Sequence, residues 1–170
     1  MTTREIFESM DYGPAPESSA EALAWIAERG GIAGPFVNGT WGPLRDDFAS
    51  NNPATGEKLA GITKTTVDEV NAAVAAARKA QPKWAQDNHK RARVLYAIAR
   101  LMQKHSRLLA TMETLDNGKP IRESRDIDVP LAIRHFYYHA GLAQLLDAEM
   151  PGHEALGVCG QIIPWNFPLL

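Results

Sequence analysis

Few side chains in this 170-residue chain could do chemistry, and most of those stand alone. Cys159 is its one cysteine. A single thiol allows no internal disulfide and no thiolate metal cluster. Cys159 falls in an apolar run, Gly157–Ile163, with no base beside it. A thiol buried in apolar surroundings is inert, so it reads as a buried structural residue. His135 and His139 are four apart and share one helix face, a spacing that suits two metal ligands. A zinc-protease helix needs a glutamate after the first histidine, and here Phe136 stands there with no evident third ligand. The pair reads as structural beside Tyr137 and Tyr138, and no metal is expected. Asn38-Gly39-Thr40 fits a glycosylation acceptor, but Asn-Gly between apolar residues reads as a hairpin turn. The glycine fingerprint of a Rossmann dinucleotide loop is absent, Gly157 and Gly160 being the nearest approach. What remains is Ile162-Ile163-Pro164-Trp165-Asn166-Phe167-Pro168. Two prolines hold three side chains between them, and an asparagine amide on so rigid a loop can donate to a developing oxyanion. By composition alone, a structural turn is the favoured reading.

The surrounding elements must position that loop. Residues 1–18, with Gly13, Pro14 and Pro16, form an irregular lead-in, and the domain occupies 19–170. Leu23, Ile26 and Ala27 share a face of a helix over 19–29, with Ser19 as its cap and Gly30-Gly31 as its stop. Residues 36–64 read as small hairpins, turning at Asn38-Gly39 and at Asn52-Pro53-Ala54-Thr55-Gly56. Thr66-Val67-Asp68-Glu69 is a capping box opening a helix that Pro82 should end. A second long helix runs from about His89 to Leu115 on an apolar stripe from Val94 to Leu115. Asn117-Gly118 closes it with a left-handed cap, and Pro120 follows. A third starts near Arg122 or later and reaches about Leu146, with Pro130 in its first turn or at a kink. Gly157–Ile163 reads as one buried strand feeding the loop, and Pro168 as the first position of another helix.

Hydrophobic residues make up 45% of the chain and charged residues 22%, with a formal net charge of -2. This is an ordinary globular composition. The charge argues against nucleic acid or an anionic membrane as partner, since counterion release needs clustered Lys and Arg. No apolar run approaches membrane-spanning length, and the first residues lack the apolar core of a signal peptide. The expected compartment is the cytoplasm. There is no internal repeat and no low-complexity segment.

GVCGQIIPWNFPLL resembles, nearly letter for letter, the segment that enters the active site in aldehyde dehydrogenases. Three further stretches resemble that family in the right order: FVNGTW its opening hairpin, NPATGEKLA its second turn, and ETLDNGKPIRESRDIDVPLAIRHFYYHAG the helix pair before the active-site strand. Together they cover about residues 36–170. The lead-in YGPAPESSAEALAWIAERGG resembles the start of the family 16 aldehyde dehydrogenases, which fuse a second, degenerate dehydrogenase-like region behind the first.

The resemblance implies an α/β fold, the helix-rich N-terminal part of an aldehyde dehydrogenase NAD(P)-binding domain. It implies oxidation of a small-molecule aldehyde to a carboxylic acid with NAD or NADP. In the family a cysteine thiolate attacks the aldehyde, hydride leaves for the nicotinamide, and a glutamate activates water to hydrolyse the thioester. Asn166 matches the asparagine whose side-chain amide helps form the oxyanion hole. Ile162, Ile163, Pro164 and Trp165 match positions lining the nicotinamide side of the cofactor cleft, and Phe167 matches one near the substrate tunnel. Cys159 does not match the nucleophile.

The family's nucleophile and base lie further along than residue 170, so these 170 residues alone are expected to be inactive. The stretch from Gly141 to Gly157 leaves little room for the β-hairpin that many members use for tetramer assembly, which points to a homodimer rather than the usual tetramer. The competing reading is a non-catalytic dehydrogenase-like interaction or scaffold module. The intact Pro164–Pro168 loop favours the enzyme.

Overall fold

The computed structural model describes Thr2, Glu5 and residues 17–170; the lead-in therefore lies almost entirely outside the described residues. In chain order the elements are α1 (Ala20–Glu28), β1 (Ile32–Ala33), β2 (Phe36–Val37), β3 (Thr40–Trp41), β4 (Phe48–Asn51), β5 (Lys58–Ile62), α2 (Val67–Ala85), α3 (Asn88–Lys104), α4 (Ser106–Asn117), a single turn α5 (Ile121–Glu123), a π-helical turn at Ser124–Asp128, and α6 (Val129–Glu149). This is the helix-rich α/β arrangement that the resemblance implies.

The turns form for the expected reasons. Asn38 (φ 53°) and Gly39 (φ 80°) both adopt left-handed backbone between β2 and β3, the conformation a tight two-residue hairpin demands. β4 and β5 pair antiparallel around the Asn52 turn, where Asn52 Oδ1 accepts from the Ala54 amide at 2.9 Å. The short strand β1 adds in parallel to the other edge of β5, giving the order β1-β5-β4. Thr66 and Glu69 close a reciprocal capping box on α2. Arg45 clamps the same glutamate at 3.0 Å and 3.1 Å, so the Arg45 hydrogen bond, with the Thr66 amide, holds the Glu69 carboxyl down at about 2.

Several elements differ from expectation. Ser19 has helical backbone and makes no cap; the Ser18 hydroxyl accepts from the Ala20 amide at 3.3 Å instead. Pro82 does not end α2, which continues to Ala85. Arg91 donates to the carbonyls of Trp84 and Ala85 at 2.8 Å and 2.7 Å, satisfying groups that the last turn leaves orphaned. The stretch from 89 to 115 is two helices, broken at His105 (φ -106°, ψ 22°) within the polar run Lys104-His105-Ser106-Arg107. The break lets α3 pack along α6 while α4 meets α1 and the π-helical turn. Pro130 does sit in the first turn of α6. Just before it the helix widens, and the Val129 amide bonds to the Ser124 carbonyl five residues back. That widening fits a proline that cannot donate and whose ring crowds the preceding turn.

The core lies where α3, α4 and α6 meet. Ala99, Met102, Ala110, Val129, Ala132 and Ile133 are buried there, with Ile98, Leu109, Phe136 and Leu169 packed against them. Small alanines at the contacts let the helix axes approach closely. Beyond α6, residues 141–157 contain the end of that helix and a turn, and no strand.

Gly157–Ile163 is not a buried strand. It has no regular secondary structure and is exposed, Cys159 included, and Ile162 is fully exposed at 101%. No described strand lies beside it, so its backbone groups and apolar side chains face solvent. Pro168 likewise opens no helix; residues 165–168 form a turn and bend.

Candidate functional site: the loop on the helix α4 cap

The C-terminus of α4 is the platform for the Pro164–Pro168 loop. Gly118 (φ 78°) takes the left-handed cap position, and its amide bonds to the Thr114 carbonyl. Asn117 turns back over this cap. Its Oδ1 accepts from the Lys119 amide at 2.8 Å, and its Nδ2 donates to the Trp165 carbonyl at 3.4 Å. Asp116, Asn117, Gly118 and Lys119 form one side of an open depression of about 790 Å³, and Ile163, Pro164, Trp165, Asn166 and Pro168 form the other. The loop holds itself in a turn through the Phe167 amide and the Pro164 carbonyl at 3.4 Å. Beyond it Leu169 inserts against the core.

Of the six residues singled out from sequence, Ile163, Pro164, Trp165 and Asn166 converge on this depression. Ile162 projects into solvent away from it. Phe167 does not line it; the Lys119 Nζ lies 4.0 Å from its ring centroid. Trp165 is 91% exposed. The Asn166 amide is exposed and makes no side-chain hydrogen bond to any described residue, so both its donors are free.

Beneath Phe167 lies a buried ionic group not anticipated from the sequence. Lys119 Nζ pairs with Asp128 Oδ2 and, at 3.4 Å, with Glu113 Oε1. The side chains of Asp128, Glu113 and Lys119 keep only 2%, 4% and 13% of their surface exposed. Burial, then the contact with Asp128 and its charge, push the Glu113 carboxyl up to about 7 against the pull of Lys119. Burial opposes the charge on Lys119, but Asp128 and Glu113 outweigh it and its pKa is raised. Glu113 Oε2 is buried and has no hydrogen-bond partner among the described residues. The sequence did carry a signal: Glu113 stands four residues after Leu109, a charge set on the apolar stripe.

The His139 ring nitrogen bonds to the His135 carbonyl at 2.8 Å within α6, and no metal-ligating cluster occurs among the described residues. No described helix is long and apolar enough to cross a membrane.

The sequence profile of the Aldehyde dehydrogenase family matches residues 41–170. This chain belongs to the aldehyde dehydrogenase family. Aldehyde dehydrogenase B of Escherichia coli K12 is 44% identical over 149 residues, covering 79% of this chain and 29% of that protein. An aldehyde dehydrogenase of Paracoccus denitrificans is 41% identical over 148 residues, with 79% and 29% covered. Among solved structures, an apo indole-3-acetaldehyde dehydrogenase superposes with a TM-score of 0.73 at 29% identity, covering 86% of this chain and 38% of that one. An NAD+ complex of an aldehyde dehydrogenase from Bacillus cereus gives 0.64 at 30% identity, with 78% and 26% covered. The chain thus spans about 30% of the length of the curated relatives it matches. Within this aldehyde dehydrogenase chain, the loop and the α4 cap both fall inside the matched region.

Proposed function

We propose that this chain supplies one wall of the active site of an NAD(P)-dependent enzyme that oxidises an aldehyde to a carboxylic acid. The observation that carries the reading is the Asn166 amide: exposed, with both donors free, on a loop tied down on either side of it. A donor held in place before reaction stabilises a developing oxyanion without reorganisation at the moment of reaction. The assigned role of Asn166 is to donate to the aldehyde oxygen as that oxygen gains charge, while gaining less from the neutral carbonyl.

The residues present suit one end of a nicotinamide cofactor. Ile163, Pro164 and Trp165 offer an apolar wall against which a flat ring can lie. The resemblance assigns Ile162 to the same wall, but its side chain stands clear of the depression. When bound, the cofactor accepts the hydride. This chain's part is to present the apolar surface and to fix the carbonyl oxygen. Phe167 belongs to the substrate side of the loop.

The test is stoichiometric. The protein carrying this chain, given an aldehyde and NAD+ or NADP+, should produce one reduced nicotinamide per carboxylate formed. Absence of cofactor reduction across short aliphatic and aromatic aldehydes, with the protein folded, would contradict the reading and favour a scaffold role.

A further inference from the structure

The two residues flanking Asn166 are each held by the same short stretch of chain. Trp165 is held through its carbonyl by Asn117, and Phe167 through its ring by Lys119. Asn117 and Lys119 are joined in turn, since Asn117 accepts from the Lys119 amide. Asn166 has no tie of its own. The Lys119 ammonium cannot follow Phe167 if the loop drifts, because Asp128 and Glu113 fix it from the core side. A cation over a ring is directional and strongest where water is excluded. The Lys119 side chain is 13% exposed and Phe167 37%, so the contact is partly shielded from water.

From this geometry we propose that Lys119 is a positioning residue for Asn166, a buried, doubly paired ammonium that pins the loop through the face of Phe167. The proposal rests on Asn166 acting as the oxyanion donor. Lys119 acts through Phe167 on the residue before it, from the edge of the depression. Catalytic donors tolerate misplacement of only about half an ångström, so a loop pinned on one side alone would present the amide in the wrong place much of the time. This also accounts for the buried charges, which a merely apolar anchor would not need.

The test uses the enzyme that carries this chain. Lys119→Met alone strands two carboxyls, so the main variant is Lys119→Met with Asp128→Asn, which leaves Glu113 as the one carboxyl without its ammonium; Lys119→Arg is the rescue. Two quantities are read. One is the rate of acylation in a single turnover. The other is the order of the Asn166 side-chain amide, from its 1H–15N heteronuclear NOE. The double variant should slow acylation about 3- to 30-fold, the range of a partly desolvated cation–ring contact, leave the cofactor KM nearly unchanged, and lower the Asn166 NOE. Lys119→Arg should restore most of both. A folded double variant in which either readout is unchanged overturns the positioning role, as does a rate loss no larger than its unfolded fraction. Asn166→Ala separates the two readings. An unchanged acylation rate there defeats the oxyanion assignment; a slowed rate there beside a normal double variant defeats the positioning role alone.

Discussion

Gly118 and Pro53 leave no room between them: a Cβ added to Gly118 would stand 2.6 Å from Pro53 Cγ. The turn between β4 and β5 therefore rests directly on the cap of α4, and the small sheet braces the platform of the Trp165-Asn166-Phe167 loop.

Gly118→Ala should accordingly damage both fold and site. The left-handed φ of 78° costs an alanine about 1–2 kcal/mol, and the overlap with the Pro53 ring adds to it. A loss of about 2–4 kcal/mol, or roughly 5–10 °C in Tm, is expected from calorimetry. A variant as stable as the parent would show that the turn can move away freely.

The buried Glu113 predicts a pH dependence of stability. Its folded pKa, about 7, lies above the ordinary 4.5 because burial and Asp128 disfavour the charge. Between those values the folded chain holds a proton that the unfolded chain has released. Stability from this group is thus greatest below 4.5 and falls as pH rises through 7, by on the order of 2–3 kcal/mol. Glu69, held low by Arg45, acts oppositely but only below 4.5. Denaturant titrations from pH 4.5 to 8 should show wild type losing stability and Glu113→Gln losing much less. Parallel slopes would contradict the assignment.

Cys159 is exposed, with its sulfur 3.9 Å from the Gly157 carbonyl and no charged partner. The 170-residue chain should give up its one thiol to a disulfide reagent as fast as a small free thiol does. Slow labelling that needs denaturant would restore the buried-strand reading. Cys159→Ser should leave the proposed aldehyde oxidation by the protein that carries this chain unchanged, because the residue lies outside the depression.

How much could be read in advance depended on how local the cause was. The Asn38-Gly39 hairpin, the Thr66 capping box and the Gly118 cap each follow from two or three neighbouring residues, and all formed as read. Pro82 misled because its rescue comes from Arg91, in the next helix. The break at His105 answers to packing partners far along the chain. Gly157–Ile163 has the composition of a strand but no described strand to pair with, and pairing is not written in composition. In the site, the loop residues were legible from their type and spacing. Of the buried group beneath them only Glu113 left a trace, as a charge on the apolar stripe, because Glu113, Lys119 and Asp128 are brought together by the α4 cap and the π-helical turn.

The central claim is that Asn166 donates to the oxyanion, and single-turnover acylation of the enzyme carrying Asn166→Ala tests it most directly. Loss of one such donor costs about 3–4 kcal/mol, so thioester formation should slow roughly 100- to 1000-fold. Fold and cofactor affinity should stay nearly intact, since the wild-type amide bonds to no described residue. Asn166→Asp should be at least as harmful, its carboxylate repelling the oxyanion. An acylation rate equal to wild type in Asn166→Ala, with acylation shown to be the step observed, would contradict the account; so would a lowered melting temperature as the sole effect.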